Sequence, residues 1–203
     1  MRRSLLFPLA TLLMVPAFVS CGGDAIPTAA PEPAKEPAAL LDHLKYLAVR
    51  KDFKTAAVIT PITPNVVFPG AMNLHNTAKQ LGITLTPEEA KGLGLDDAMA
   101  ARMDSLPGSE IENYKVKDAR LAYNAGIYRI LKGITAKSWG KMTHMGITDN
   151  AAAAQYGLMG VKDMAIGFDG TKVMTVSCVK MPSGAWGITY IRYDVALKNL
   201  KQD

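Results

Sequence analysis

Residues 161–195 read VKDMAIGFDGTKVMTVSCVKMPSGAWGITYIRYDV. Apolar and polar residues alternate here with a period of two, the signature of half-buried strands. Asp169-Gly170 sits between two such runs and predicts a hairpin turn of the primed type, which needs positive φ. Pro182-Ser183-Gly184 predicts a second turn. The reading is three antiparallel strands, 161–168, 171–180 and 185–195. In the last, Trp186, Ile188 and Tyr190 are expected on one face and Thr189, Ile191 and Tyr193 on the other. Cys178 alternates with Met174 and Val176 and is expected as a buried strand residue, packing as a small hydrophobe.

Upstream the period is helical. In ALLDHLKYLAVR (39–50), Leu40, Leu44 and Leu47 share a face, with Leu41 and Ala48 beside it. Asp52 is placed to cap a short helix, FKTAAVI, that stops at Pro61. Residues 60–76, TPITPNVVFPGAMNLHN, hold Pro61, Pro64, Pro69 and Gly70 and read as a loop or irregular arm. Thr86-Pro87-Glu88-Glu89 is a helix start: Thr86 caps, Pro87 suits the first position and Glu89 completes a capping box. Gly92 and Gly94 predict an early end. Asp96 begins another helix that runs to Pro107-Gly108. Asp118 is expected to cap a longer one, 119–134, with Ile127, Leu131 and Ile134 on one face and Lys132 suiting its negative end. A last short helix, 150–158, follows Asp149. Helices first and a meander last is an α+β order: N-terminal helices packed on a C-terminal antiparallel sheet of three or more strands. Tyr114, Tyr123, Tyr128 and Trp139 are read as core aromatics, with a pocket or interface lining as the other reading.

The N-terminus carries a different message. Met1-Arg2-Arg3 is basic, and residues 4–20 are uncharged and apolar but broken by Pro8 and Pro16. That run is short for a bilayer span of about 20 residues and fits the n- and h-regions of an export signal. The stretch ends in FVSCGGD (18–24). Phe18 is bulky at −3 for ordinary signal peptidase. Ser20-Cys21 resembles a bacterial lipobox, with Phe18 where the family carries an aliphatic. The resemblance implies that Cys21 becomes the lipidated first residue, leaving Cys178 without a disulfide partner. It also implies a cell-envelope location, at the periplasmic face of the outer membrane where there are two membranes. A secretory cut near Gly22 and an uncleaved anchor are the alternatives. Residues 22–38 contain Pro27, Pro31, Pro33 and Pro37 and read as an extended spacer. The expected organisation is therefore a signal peptide (1–20), a lipid-anchored Cys21 with a Pro/Ala-rich tether (21–38), and one α+β domain (39–203).

Two further patches, Arg50-Lys51-Asp52-Phe53 and Gly184-Ala185-Trp186-Gly187-Ile188, resemble the NTF2-like (cystatin-like) α+β cone. The first matches the joint of its opening helix pair, the second a strand of its closing hairpin. Membership would imply a pocket on the concave sheet face. In the enzymes of that family an Asp/His or Asp/Tyr pair occupies it, and none is carried over to particular residues here.

Chemistry-bearing motifs are few. The formal net charge of +5 falls to about +3 once residues 1–20, with Arg2 and Arg3, are removed. That small excess makes no basic stripe for nucleic acid. No P-loop, GxGxxG, GxSxG, HExxH or CxxC is present, so no catalytic residue and no cofactor is assigned. Glu88/Glu89 and Asp96/Asp97 are explained by helix starts. His43 is expected as a solvent-facing or half-buried helix residue, and His75 as a loop histidine. Met142, His144 and Met145 are the one metal candidate, since thioethers with imidazole favour Cu(I); the plainer reading is that the methionines fill core at helical spacing. Three functions follow in order. The first is a membrane-tethered envelope protein whose domain binds a small ligand or an envelope protein without catalysis. The second is a cone-type isomerase, cyclase or hydrolase, and the third a copper handler.

Overall fold

The computed structural model describes residues 25–195 apart from 62, 104, 106 and 157. Cys21 and the expected signal peptide lie outside the described residues. The chain is α+β. Helices α1 (Leu40–Arg50), α2 (Phe53–Val58), α3 (Pro64–Gln80), α4 (Pro87–Gly92), α5 (Asp97–Met103), α6 (Val116–Lys132) and α7 (Ala136–Gly140) precede strands β1 (Met142–Asp149), β2 (Lys162–Phe168), β3 (Thr171–Lys180) and β4 (Trp186–Tyr193). The four strands form one antiparallel meander in the order β1-β2-β3-β4.

The local signals for capping and turning act as expected. Asp52 accepts from the Lys54 N–H. Thr86 and Glu89 form the reciprocal capping box. Asp169 and Gly170 have φ of 48° and 75°, the primed turn between β2 and β3. Leu40, Leu44 and Leu47 are fully buried.

Four expectations change. Residues 64–80 are a helix, not a loop. Pro64 occupies the first turn, where its missing N–H costs nothing. Val66, Val67, Gly70, Ala71, Leu74, His75 and Ala78 make its buried stripe. Pro69 stands inside the helix, on its exposed side. Second, residues 142–149 are a strand rather than helical filler, and residues 151–156 a 3-10 turn rather than an α-helix. Third, α6 begins at Val116 with Lys115 as N-cap, and Asp118 lies in its first turn. Fourth, β4 does not alternate simply. Ser177 pairs with Tyr190 and Cys178 with Ile188, so Thr189 is a bulge residue. The bulge turns both Ile188 and Ile191 into the core, each fully buried.

Helix α6 is the spine, with every residue from Ala122 to Leu131 buried. It crosses α3 where Gly126 meets Leu74. Its Tyr123 hydroxyl donates to the Ile188 carbonyl of β4. Tyr193, at the other end of β4, donates to the Ile130 carbonyl at 2.6 Å. Gly70 of α3 is required at the same junction: a Cβ there would stand 2.4 Å from the Tyr123 ring and 3.2 Å from the Thr189 carbonyl. Tyr123, Tyr128 and Trp139 are fully buried core aromatics. Below α6, Glu89 gathers the Tyr128 hydroxyl at 2.8 Å, the Lys132 ammonium and, at 3.7 Å, Lys51.

The described part of the Pro/Ala-rich stretch lies against this body. The Ala34 carbonyl accepts from the Trp186 N–H at 2.8 Å, and Ala34 and Pro37 are buried. The next free donor of that sheet edge, the Ile188 N–H, goes to the Ile59 carbonyl at 2.8 Å. An edge strand offers unpaired N–H groups, and here a carbonyl of the proline-containing segment and one at the end of α2 satisfy two of them.

His43 fixes the same segment from α1, which corrects its expected solvent-facing position: it is 1% exposed. Its Nε2 donates to the Glu32 carbonyl at 3.0 Å, which assigns the proton to Nε2 because a carbonyl only accepts. The buried Nδ1 has no partner. Burial lowers the pKa below the ordinary 6.5, with the Glu32 bond and Asp42 opposing in smaller measure. The unfolded chain therefore binds the proton first. Stability from this site is complete above pH 6.5 and falls as pH drops beneath it, until the lowered folded value is reached. Urea midpoints at pH 8 and pH 5 should differ for the wild type, and the difference should shrink in His43→Gln, which keeps a donor toward Glu32. Equal slopes in both proteins would sink this account.

Candidate functional site

A cavity of about 630 Å³ opens between α3, the β1–β2 connection and the far end of the sheet. One wall is the exposed start of α3, with Asn65, Pro69 and Asn73. Pro69 has no N–H to give the carbonyl four residues back, so the Asn65 carbonyl loses its helical partner on this wall. The second wall is the connection after β1, with Asn150, Ala153, Leu158 and Val161. The floor is Ser177, Thr189 and Tyr190 from β3 and β4.

The floor exists because of the bulge at Thr189. Without the extra residue, Ser177 and Tyr190 would not stand opposite each other. With it, Asp163, Ser177 and Tyr190 form one cross-strand row on the face turned away from α6. Ser177 donates to Asp163 Oδ1 at 2.6 Å. Asn150 Nδ2 donates to the same oxygen at 3.0 Å, while its Oδ1 caps the 3-10 turn through the Ala153 N–H at 3.0 Å. Thr189 donates to the Ser177 carbonyl at 3.1 Å. Two side chains from different segments thus converge on one carboxylate at the edge of the floor.

The other candidates are placed as follows. Met142 is fully buried and pairs with Phe168. Met145 is 47% exposed, sits in a bulge between His144 and Gly146, and lies over Gly167. Because Phe168 and Gly167 are successive residues of one strand, the two methionines leave β1 on opposite faces. His144 is exposed. The strand therefore spreads these three residues apart rather than converging them. His75, expected in a loop, is a buried residue of α3. Cys178 is fully buried, and its Sγ lies 3.3 Å from the Lys162 carbonyl. Burial, helped by the Asp163 charge, pushes its thiol up to about 12, which leaves almost no thiolate at neutral pH.

Sequence reasoning missed the groove. Its residues fall at 65–73, 150–161 and 177–190, with no spacing that links them. One signal was available: helical recurrence of Val66/Val67, Gly70/Ala71, Leu74 and Ala78 through the prolines would have placed Asn65, Pro69 and Asn73 on one exposed face.

Fold and groove together define an α+β domain with a helix-walled cleft at the end of a four-stranded meander. No protein-family model, curated protein or solved structure matches the chain. Among the described residues, no helix is long and apolar enough to cross a membrane.

Proposed function

We propose that this chain is a lipid-anchored protein of a bacterial envelope, attached through Cys21, whose α+β domain holds a small ligand in the groove without transforming it. The observation that carries the binding half is the lining. Asparagine amides, hydroxyls and aliphatic side chains line a cavity of about 630 Å³, within the size range of small-molecule sites. Among the described lining residues there is no histidine, acid, lysine, arginine or cysteine. Such a surface holds a ligand by contact and hydrogen bonds and offers little for moving a proton near pH 7. The anchor half rests on Ser20-Cys21 after an apolar run. The joint and strand that resemble the NTF2-like cone also occupy suitable places: Lys51 is the left-handed residue between α1 and α2, and Trp186 opens β4.

Two measurements test the halves separately. Intact mass of membrane-extracted protein should show a mature N-terminus at Cys21 with added acyl mass, absent in Cys21→Ala. A soluble protein without added mass would end the anchor reading. For the domain, amide and methyl NMR during a screen of small neutral and charged fragments should move signals of Ser177, Thr189 and Asn73 together. Hits that cluster elsewhere, or none, would end the groove reading.

A further inference from the structure

We infer that the groove selects a ligand whose head is a primary ammonium on a short apolar body. This deepens the binding reading above and rests on it. The donor directions of the floor hydroxyls are fixed by their partners. A carboxylate accepts and does not donate, so the Ser177 hydroxyl spends its proton on Asp163 at 2.6 Å. A carbonyl accepts only, so Thr189 spends its proton on the Ser177 carbonyl at 3.1 Å. Both hydroxyls then have only lone pairs left to offer a ligand. One N–H of the Asn150 amide is also turned to Asp163, at 3.0 Å. On the opposite wall Pro69 withholds its N–H from the Asn65 carbonyl, which adds an acceptor there. Three separate segments present acceptors here, beside the Asn65 and Asn73 amides and the Tyr190 hydroxyl, which can donate or accept.

The charge points the same way. Asp163 is the carboxylate beside Ser177 in the same cross-strand row. Among the described residues no lysine or arginine pairs with it, although Asp149, Asp169 and Asp194 each have such a partner. Hydrogen-bond dipoles from Ser177 and Asn150 rather than a cation balance it, so a negative field remains at the floor, screened less there than in open water. A carboxylate or phosphate head would meet that field and the Ser177 and Thr189 lone pairs, and would find no cation among the described lining residues. An alcohol brings one donor and no charge. An ammonium brings three donors and a positive charge, and matches both features. The walls beyond the floor, Val66, Ala153, Leu158 and Val161, accept an alkyl or aryl body.

Hexylamine, hexanol and hexanoate share one body and differ in the head. Titrated at pH 7 and followed by NMR at Ser177 and Thr189, hexylamine should bind at least about tenfold more tightly than either of the others, a gap of about 1.4 kcal/mol. Asp163→Asn should reduce that preference at least about fivefold. Asn73→Trp, on the exposed side of α3, should block the mouth and weaken all three. Ser177→Ala covers the case in which Asp163→Asn fails to fold, and should also weaken hexylamine. Hexanoate or hexanol binding as tightly as hexylamine would overturn the ammonium assignment while leaving the groove as a binding site. Hexylamine binding that ignores Asp163→Asn, or Ser177→Ala in its place, would overturn it equally. If none of the three binds and the fragment screen is also silent at the floor, the groove reading itself falls.

Discussion

Gly126→Leu is expected to abolish cooperative folding. Gly126 sits where α6 crosses α3, and a Cβ at this position would lie 2.8 Å from Leu74 Cβ, 3.2 Å from the Leu74 carbonyl carbon and 3.3 Å from the His75 nitrogen. Two of those three atoms are backbone, so relief requires α3 to move as a body. Both helices are buried on this side, and α3 also rests on β4 through Gly70. Movement of α3 would therefore spread to the sheet. A single added methyl, Gly126→Ala, should cost about 1–3 kcal/mol from overpacking, reduced by up to about 1 kcal/mol of gained helix propensity. Leucine adds three further carbons to the same clash. Far-ultraviolet circular dichroism with urea titration reads both variants. A Gly126→Leu protein with a wild-type midpoint would show that the crossing is looser than this packing.

Trp139→Ala is expected to cost about 3–5 kcal/mol, the usual range for deleting a buried large aromatic. Trp139 is fully buried on α7, and its Nε1 donates to the Leu131 carbonyl at 3.3 Å. That bond ties α7 to the end of α6, and α7 also touches α1. For a domain of this size each kcal/mol moves the melting temperature by about 2–4 °C, so a drop of roughly 6–20 °C should appear by calorimetry. Trp139→Phe keeps most of the volume, loses the N–H, and should fall between. A drop under about 3 °C for alanine would mean that neighbouring side chains collapse into the space.

Both sites explain what the sequence could and could not tell. Tryptophan is an apolar anchor in any reading, so Trp139 was expected in the core. The pressure on Gly126 was invisible, because it comes from Leu74, in a segment whose prolines argued for a loop. Proline punctuates helices strongly, but Pro64 occupies a first turn and Pro69 an exposed face, where the stripe of Val66, Val67, Ala71 and Leu74 outweighs one lost hydrogen bond. Strand β1 was missed for the opposite reason. It is an edge strand, all seven residues from Thr143 to Asp149 are exposed or half-buried with no alternation, and a bulge at Met145 breaks its period. The bulge at Thr189 likewise defeats a period-two assignment of faces in β4, and it is the feature that creates the groove floor. Turn and cap chemistry was legible because it is local: Asp169-Gly170, Thr86 to Glu89, and Asp52 need only their immediate neighbours.

The docking of residues 25–38 also has a mechanical side. Arg50 Nε reaches the Pro27 carbonyl at 3.4 Å, His43 holds Glu32, and Ala34 holds Trp186. A chain pulled from its N-terminus loads these three links in that order, peeling rather than shearing. The third opens directly onto β4, whose Thr189 and Tyr190 lie a few residues further along. Tension on residues 25–34 would therefore reach α1 through the first two links, and β4 just ahead of Thr189 through the third.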